Sequence, residues 1–330
     1  MPTYHTNLHF FPLEFSRKSI ASKRLEVLRK GPKPDGIIIV GMGGSGLAGD
    51  LLAHFSRSLK LTVPVVVWKD YGVPETSFKH PFFAFVSFSG TTEEVISGLS
   101  TILARRSKPL IGVVTTGGPL RDLAERAKLP LVTFETHGLT PREAVGYTYT
   151  GLIELLRAKI PMAPVPGLPV SRLPAKKLEK QGRVLAGHLL HSIPLIYTTT
   201  AYRAVGYIWK INVNETGKHP AFTATMPEAS HNEITGLEKT PFPLTALFLE
   251  DPAAPARLSR KIAILRGLLA KEGVKTLSVP LIGKTLEERT WNSVVLSHFT
   301  ALALAELSRK DPRATRLIDA MKRTWSAKRA

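Results

Sequence analysis

The sequence predicts an α/β fold: two doubly wound parallel-sheet subdomains flanked by helices. Three observations carry that reading. Short apolar runs alternate with stretches of helical periodicity along the chain. The run Ile37-Ile38-Ile39-Val40 is apolar on both faces, as a strand inside a parallel sheet must be. A stretch containing Pro161, Pro164, Pro166, Pro169 and Pro174 then separates two halves of similar pattern. The expected division is 1–160, a proline-rich connector over 161–176, and 177–330 with a helical tail.

The elements follow in order. Residues before about 35 read as a helical lead-in, with Leu25, Val27 and Leu28 among charges over 22–30, and Lys33-Pro34-Asp35-Gly36 as a turn. The strand at 37–40 runs into Gly41-Met42-Gly43-Gly44-Ser45-Gly46 and a helix through Leu47, Leu51, Leu52 and Phe55. A strand over 63–68 and another over 82–86 follow. Next comes Ser87-Phe88-Ser89-Gly90-Thr91-Thr92-Glu93-Glu94, then a helix with Val95, Ile96, Leu99 and Leu103 at helical spacing. A strand over 110–114, a Thr-Gly-Gly-Pro turn, a helix over 120–127 and a strand over 131–134 continue the alternation. Pro141-Arg142 opens a further helix towards Lys159. In the second half, strands are expected over 193–197, 244–249 and 275–280. Helices are expected over 201–212, 259–271 and 285–308, with a short last helix at 314–322.

Composition narrows the chemistry. The 330 residues contain no cysteine, which excludes disulfides, thiolate nucleophiles and cysteine metal sites. A single glutamine, Gln181, scarce asparagine and abundant Arg, Lys and Pro hint at a thermophile. No apolar stretch reaches the ~18 residues needed to cross a bilayer. The start, Met1-Pro2-Thr3-Tyr4-His5, lacks the basic, long apolar pattern of a signal peptide, so the expected location is the cytoplasm. The formal charge of +19 favours anionic ligands such as phosphorylated metabolites. The basic residues form no long run and no recognition-helix or RNA-binding pattern, so no specific nucleic-acid partner is expected.

The stretch at 87–94 carries the sharpest chemical signal. A helix start offers N–H groups without helical partners and the positive end of the helix dipole. Ser87, Ser89 and Thr92 add three hydroxyls in six residues, where one would suffice as a cap. That density points to a phosphate site. The Gly41 loop also fits G-x-G-x-x-G through Gly41, Gly43 and Gly46. It allows a dinucleotide site with Asp70 as ribose partner, close approach to another anion, or simply a tight turn. In the second half, Glu215 closes a helical pattern, and Glu228-Ala229-Ser230-His231-Asn232-Glu233 lies between Pro- and Gly-containing stretches. Glu215 and His231 form a plausible acid/base pair on loops.

Together these motifs resemble the phosphosugar isomerase (SIS-domain) superfamily. More narrowly, they resemble its archaeal-type bifunctional phosphoglucose/phosphomannose isomerases. Gly41–Gly46, Ser87-x-Ser-Gly-x-Thr92, Pro141-Arg142, Asn214-Glu215 and Pro227-Glu-Ala-Ser-His-Asn232 stand in that family's order over nearly the whole length. The resemblance implies reversible isomerisation of glucose 6-phosphate and fructose 6-phosphate, with mannose 6-phosphate also accepted, through a cis-enediolate. Ser45, Ser87, Ser89 and Thr92, with the N–H groups of Gly43 and Gly44, match the phosphate ligands. Arg142 matches the group that stabilises the enediolate, and Glu215 the base between C1 and C2. His231 matches the ring-opening histidine given by the partner subunit of a homodimer. Thr315 and Lys322, seven residues apart, match a selectivity threonine and a ring-opening lysine. No cofactor or metal is implied, and the pathways would be glycolysis and gluconeogenesis. One departure is Thr91, where the family has asparagine. The competing readings are a phosphosugar-sensing regulator and an NAD-dependent oxidoreductase. The segment before residue 35 is too short for a DNA-binding domain with its own core.

Overall fold

The computed structural model describes residues 4–106, 108–164 and 173–327. The chain separates into two compact units. The first spans residues up to 173 and takes in Gly283–Trp291; the second has 174–282 and 292 onwards. Half of the proline-rich connector, residues 165–172, lies outside the described residues.

In the first unit the elements run α1 (Tyr4–His9), β1 (Ile20–Lys23), α2 (Glu26–Arg29), β2 (Gly36–Val40), α3 (Gly43–His54), β3 (Val65–Trp68) and β4 (Pro81–Ser87). They continue with α4 (Glu93–Leu103), β5 (Leu110–Thr115), α5 (Gly118–Arg126), β6 (Leu131–Phe134) and α6 (Val145–Arg157). The sheet order is β1-β6-β5-β4-β2-β3, parallel except for β1. On one face Ile38, Val40, Phe83, Phe85, Ile111 and Val113 pack with Val95, Leu99 and Ile102 of α4 and Leu120 and Ala124 of α5. On the other face lie α3 and α6. A Cβ on Gly49 would meet Ile39 and Val67 at 3.0 Å, and one on Gly112 would meet Leu155 at 2.5 Å. Helices on both faces explain why β2 and β4 are buried at every position.

The second unit holds α7 (Ala175–Leu189), β7 (Ile193–Thr199), α8 (Arg203–Glu215), β8 (Phe222–Met226), β9 (Leu244–Glu250), α9 (Ala256–Lys271) and β10 (Lys275–Pro280). The larger part of α10 (Leu286–Leu307) and α11 (Arg316–Ala327) complete it. Its sheet is fully parallel, in the order β10-β9-β7-β8. Tyr197, Ala246, Phe248 and Met226 pack with Ile262, Leu265 and Leu269 of α9. The opposite face carries α8, where Gly206 lets the helix approach Thr198 and Thr223. Asn212 Nδ2 and Trp209 Nε1 donate to Ser297 and Ser293 of α10 at 2.7 and 2.9 Å.

Three elements differ from the sequence reading. The expected lead-in helix over 22–30 keeps only the single turn α2. Residues 20–23 instead pair antiparallel with the open edge of β6, which supplies backbone partners that a lone amphipathic turn lacks. Arg24, at φ 59°, turns the chain between the two and is fixed by its Nε bond to the Leu129 carbonyl at 2.8 Å. β8 has no expected counterpart. It alternates Thr with apolar residues and leaves Phe222 exposed, a weak edge-strand pattern. α7 has none either, because lysines mask its buried stripe of Leu178, Leu185 and Leu189.

Candidate functional site

The candidate groups fall into two sets, one in each unit. In the first unit three loops meet beyond the C-terminal ends of the strands, the ligand side of a doubly wound sheet. The Ser45 hydroxyl, at the start of α3, accepts from the Phe88 N–H at 2.8 Å and ties the Gly41 loop to the Ser87 turn. A Cβ on Gly44 would lie 2.9 Å from the Pro141 carbonyl carbon and 3.0 Å from the Arg142 nitrogen. Glycine at 44 therefore lets the start of α3 touch the arginine loop. Arg142 is buried, at 3% exposure.

The hydroxyls of the Ser87 turn form two hydrogen-bonded pairs. Ser87 Oγ lies 2.8 Å from Thr92 Oγ1 and accepts from the Gly90 N–H at 3.1 Å. Ser89 Oγ lies 2.8 Å from Thr91 Oγ1, which gives the departure from asparagine a local partner. Ser87 and Ser45 are buried, whereas Ser89 is exposed. Ser45 and Ser87 thus build the walls of the turn, and Ser89 and Thr92 stand nearer its open side. Thr92 occupies the N-cap position of α4 with extended backbone and no side-chain bond to the helix N–H groups. Those N–H groups have no partner inside the helix.

The turn rests on its neighbour. Ser87 and Thr115 are paired across β4 and β5, so the loops after these strands lie side by side. Gly90 and Gly118 have φ of 68° and 70°. A Cβ on Gly90 would fall 1.8 Å from the Gly117 carbonyl oxygen, and one on Gly118 would fall 2.5 Å from the Ser89 carbonyl oxygen. The Leu120 N–H donates to the Gly90 carbonyl at 3.0 Å, and the Thr116 hydroxyl to that of Phe88 at 2.7 Å.

Behind Arg142, the start of α6 is capped from outside the helix. Glu14 Oε2 accepts from the Gly146 and Tyr147 N–H groups at 2.8 and 3.3 Å. Burial pushes its carboxyl well above the ordinary value; the two N–H donors oppose that shift, and nearby Glu143 adds to it. Glu14 also lines a cavity of about 1520 Å³ in this unit, with Lys18, Arg121, Glu135, His137 and Tyr147. None of the candidate site residues named from the sequence lines that cavity. The hydroxyl-rich turn, with its paired hydroxyls and helix-start N–H groups, carries the more specific chemistry.

In the second unit Glu215 is the last residue of α8 and is half-buried. The loop behind it is braced: Asn214 Oδ1 accepts from the Ala221 N–H at 2.8 Å, and His219 Nε2 lies 2.6 Å from the Ser192 carbonyl. His231 ends a 3-10 turn over Glu228–His231 and is exposed, with Nε2 3.3 Å from Lys261 Nζ. Glu233, two residues on, accepts from the Tyr197 hydroxyl at 3.4 Å; desolvation raises its pKa. Thr315 precedes α11 and its hydroxyl donates to Asp319 at 3.0 Å. Lys322 lies on the exposed surface of α11. The sequence reading assigns no role to Lys218, Lys261 or Glu233. Only Lys218, three residues after Glu215, and Glu233, beside His231, had a local signal.

Residues 178–324 match the family of the bacterial phospho-glucose isomerase C-terminal SIS domain. A bifunctional phosphoglucose/phosphomannose isomerase of Caldicellulosiruptor bescii is 27% identical, covering 96% of this chain and 97% of its own length. A D-glucosamine-6-phosphate 4-epimerase of Sulfolobus acidocaldarius is 30% identical but covers 60% of this chain and 62% of its own. A hypothetical protein of Thermus thermophilus shares the fold, with a TM-score of 0.75 at 16% identity, covering 100% of this chain and 91% of its own. Over nearly its whole length the chain is therefore similar to the bifunctional phosphoglucose/phosphomannose isomerases, and residues 178–324 match the C-terminal SIS domain of the bacterial phospho-glucose isomerases.

Proposed function

We propose that the protein interconverts fructose 6-phosphate with glucose 6-phosphate and mannose 6-phosphate by proton transfer through a cis-enediolate. The observation that carries this reading is the stapled pair of strand–helix turns, Gly41–Gly46 and Ser87–Thr92, with the Arg142 loop packed on Gly44. Two helix starts and their hydroxyls suit a phosphate dianion. Similarity to the bifunctional isomerases over 96% of the chain, against 60% for the epimerase, favours chemistry at C1 and C2.

The chemistry needs few parts. The phosphate, bound by Ser45, Ser87, Ser89, Thr92 and the N–H groups of Gly43 and Gly44, fixes the register of the sugar chain. His231 and Lys322 assist ring opening. The Glu215 carboxylate takes the proton from C2 of the aldose and returns it to C1, and the reverse path restores the aldose. The Arg142 guanidinium offsets the charge that gathers on the enediolate oxygens. The working unit is a homodimer in which His231 serves the partner's site, and the protein acts in the cytoplasm. The decisive experiment is a coupled assay of fructose 6-phosphate consumption with glucose and mannose 6-phosphates measured separately. Formation of both aldoses is expected. Formation of neither, with binding of sugar phosphate retained, would replace this reading by a phosphosugar sensor, and NAD titration tests the dinucleotide reading.

A further inference from the structure

The end of α8 is held in an unusual way. Lys218 has φ 53°, the left-handed conformation that favours glycine, just past the end of the helix. Its half-buried side chain folds back so that Nζ donates to the carbonyl of Glu215 and to the carbonyl of Ala314. Lys310 Nζ in turn donates to the Lys218 carbonyl at 3.2 Å. One cation therefore joins two carbonyls nearly a hundred residues apart in sequence, one on Glu215 and one on the residue before Thr315. The carbonyls at a helix end carry partial negative charge and lack helical donors, so an ammonium fits there. Gly217 makes the approach possible: a Cβ there would lie 2.6 Å from the Val213 carbonyl oxygen and 3.4 Å from Leu304. A bulky residue in a sparsely populated backbone conformation persists only where its surroundings hold it, and here the side chain's two bonds do so.

We propose that Lys218 is a positioning residue: its ammonium locks the end of α8, which carries Glu215, to the start of α11, which carries Thr315 and Lys322. This rests on the function proposed above, in which Glu215 is the base and the tail helix supplies the selectivity and ring-opening groups. The bridge fixes the spacing between the proton-transfer group and the helix that distinguishes the two faces of C2. It leaves phosphate binding alone, because every proposed phosphate ligand lies in the other unit.

The informative variant is Lys218→Gly, which removes the ammonium while giving the left-handed position its preferred residue. Lys218→Arg keeps a cation able to reach both carbonyls. In Lys218→Gly the kcat for both aldose phosphates should fall about tenfold, and the ratio of the two kcat/KM values should shift at least about threefold, with KM changed less than about twofold. Lys218→Arg should recover part of kcat. Hydrogen exchange should quicken in 311–319 in the glycine variant and stay near the parent in the arginine variant. Unchanged exchange over 311–319 would overturn the bridge itself, whatever the activity. Quickened exchange with parental kcat and an unshifted ratio would overturn the positioning role. A parent protein that forms neither aldose would remove the isomerase reading, and the exchange measurement would still decide whether the bridge exists.

Discussion

The two sets of candidate residues are held by different means. In the first unit they sit in loops directly after parallel strands, with Ser45, Ser87 and Arg142 buried and tied by hydrogen bonds and glycine contacts between loops. In the second they sit at a helix end, on a 3-10 turn and along α11, with His231 and Lys322 open to solvent. A phosphate is compact and strongly anionic, so a rigid cradle of donors suits it. The proposed proton-transfer and ring-opening groups would meet a sugar that opens and turns, and they are carried on separate elements: Glu215 ends α8, His231 ends a 3-10 turn and Lys322 lies along α11. Energetic damage in the first set should therefore register as weaker binding, and in the second as slower turnover.

The sharpest way to break that contrast is at Glu215. Glu215→Gln keeps the shape and removes the base, so kcat should fall by roughly 10²–10⁴ with KM nearly unchanged. Exchange of the C2 hydrogen with solvent, followed by NMR, checks it, and a parental exchange rate would refute the role. The matching test in the first unit is Ser89→Ala with Thr92→Ala. Loss of charge-assisted bonds of about 1.5–3 kcal/mol each should raise KM by an order of magnitude or more with a smaller change in kcat. A change confined to kcat would reverse the assignment of roles between the units.

Assembly gives a third test. Mixing Glu215→Gln with His231→Ala subunits should restore activity to about a quarter of the parent, since half of randomly formed dimers would each hold one intact site. No recovery after verified exchange would mean that each site is completed within one chain. Smaller still is the effect expected at Thr315. Its hydroxyl already bonds Asp319 at the head of α11, a capping role that competes with a role at the sugar. Thr315→Gln should lower mannose 6-phosphate kcat/KM about threefold more than that for glucose 6-phosphate. Equal losses would leave only the cap.

The smallest effect is on stability. Burial raises the Glu14 pKa, so the fold favours its protonated form. Its contribution is full below the unfolded carboxylate value of about 4.3 and is lost as pH rises through the folded value. Glu14→Gln should therefore match the parent near pH 4 and exceed it near pH 7, read as a Tm difference that opens as pH rises. Parallel curves of Tm against pH would show that the N–H donors of α6 balance burial, and a parent that gains on the variant as pH rises would show that they outweigh it.

How much the sequence revealed follows the same division. The strands at 37–40 and 82–86 and the turns after them are local signals, each complete within about ten residues, so both were legible. β1 was not, because its partner β6 lies more than a hundred residues away and only that pairing makes 20–23 a strand. Within the candidate site, the packing of Gly44 against Arg142 and the bridge from Glu215 to Ala314 are long-range in the same sense. The sequence named the residues on each side and could not show that they touch. Glu14 was hidden for a simpler reason: an acidic residue in a short N-terminal turn looks solvent-exposed until the start of α6 is found around it.

The face-to-face contact of Gly90 and Gly118 has an evolutionary corollary. Each position excludes a side chain because of the backbone of the other's loop. A lineage that acquires a side chain at 90 must therefore move the loop at 117–118 at the same time, and one that lengthens the Thr-Gly-Gly-Pro loop removes that clash but leaves the left-handed φ of 68° at 90, which still favours glycine. The two turns should drift as a linked pair. A homologue that keeps Ser-x-Ser-Gly yet carries a β-branched residue at the position of Gly118 would be expected to have lost its phosphate chemistry, however well the rest of its sequence aligns.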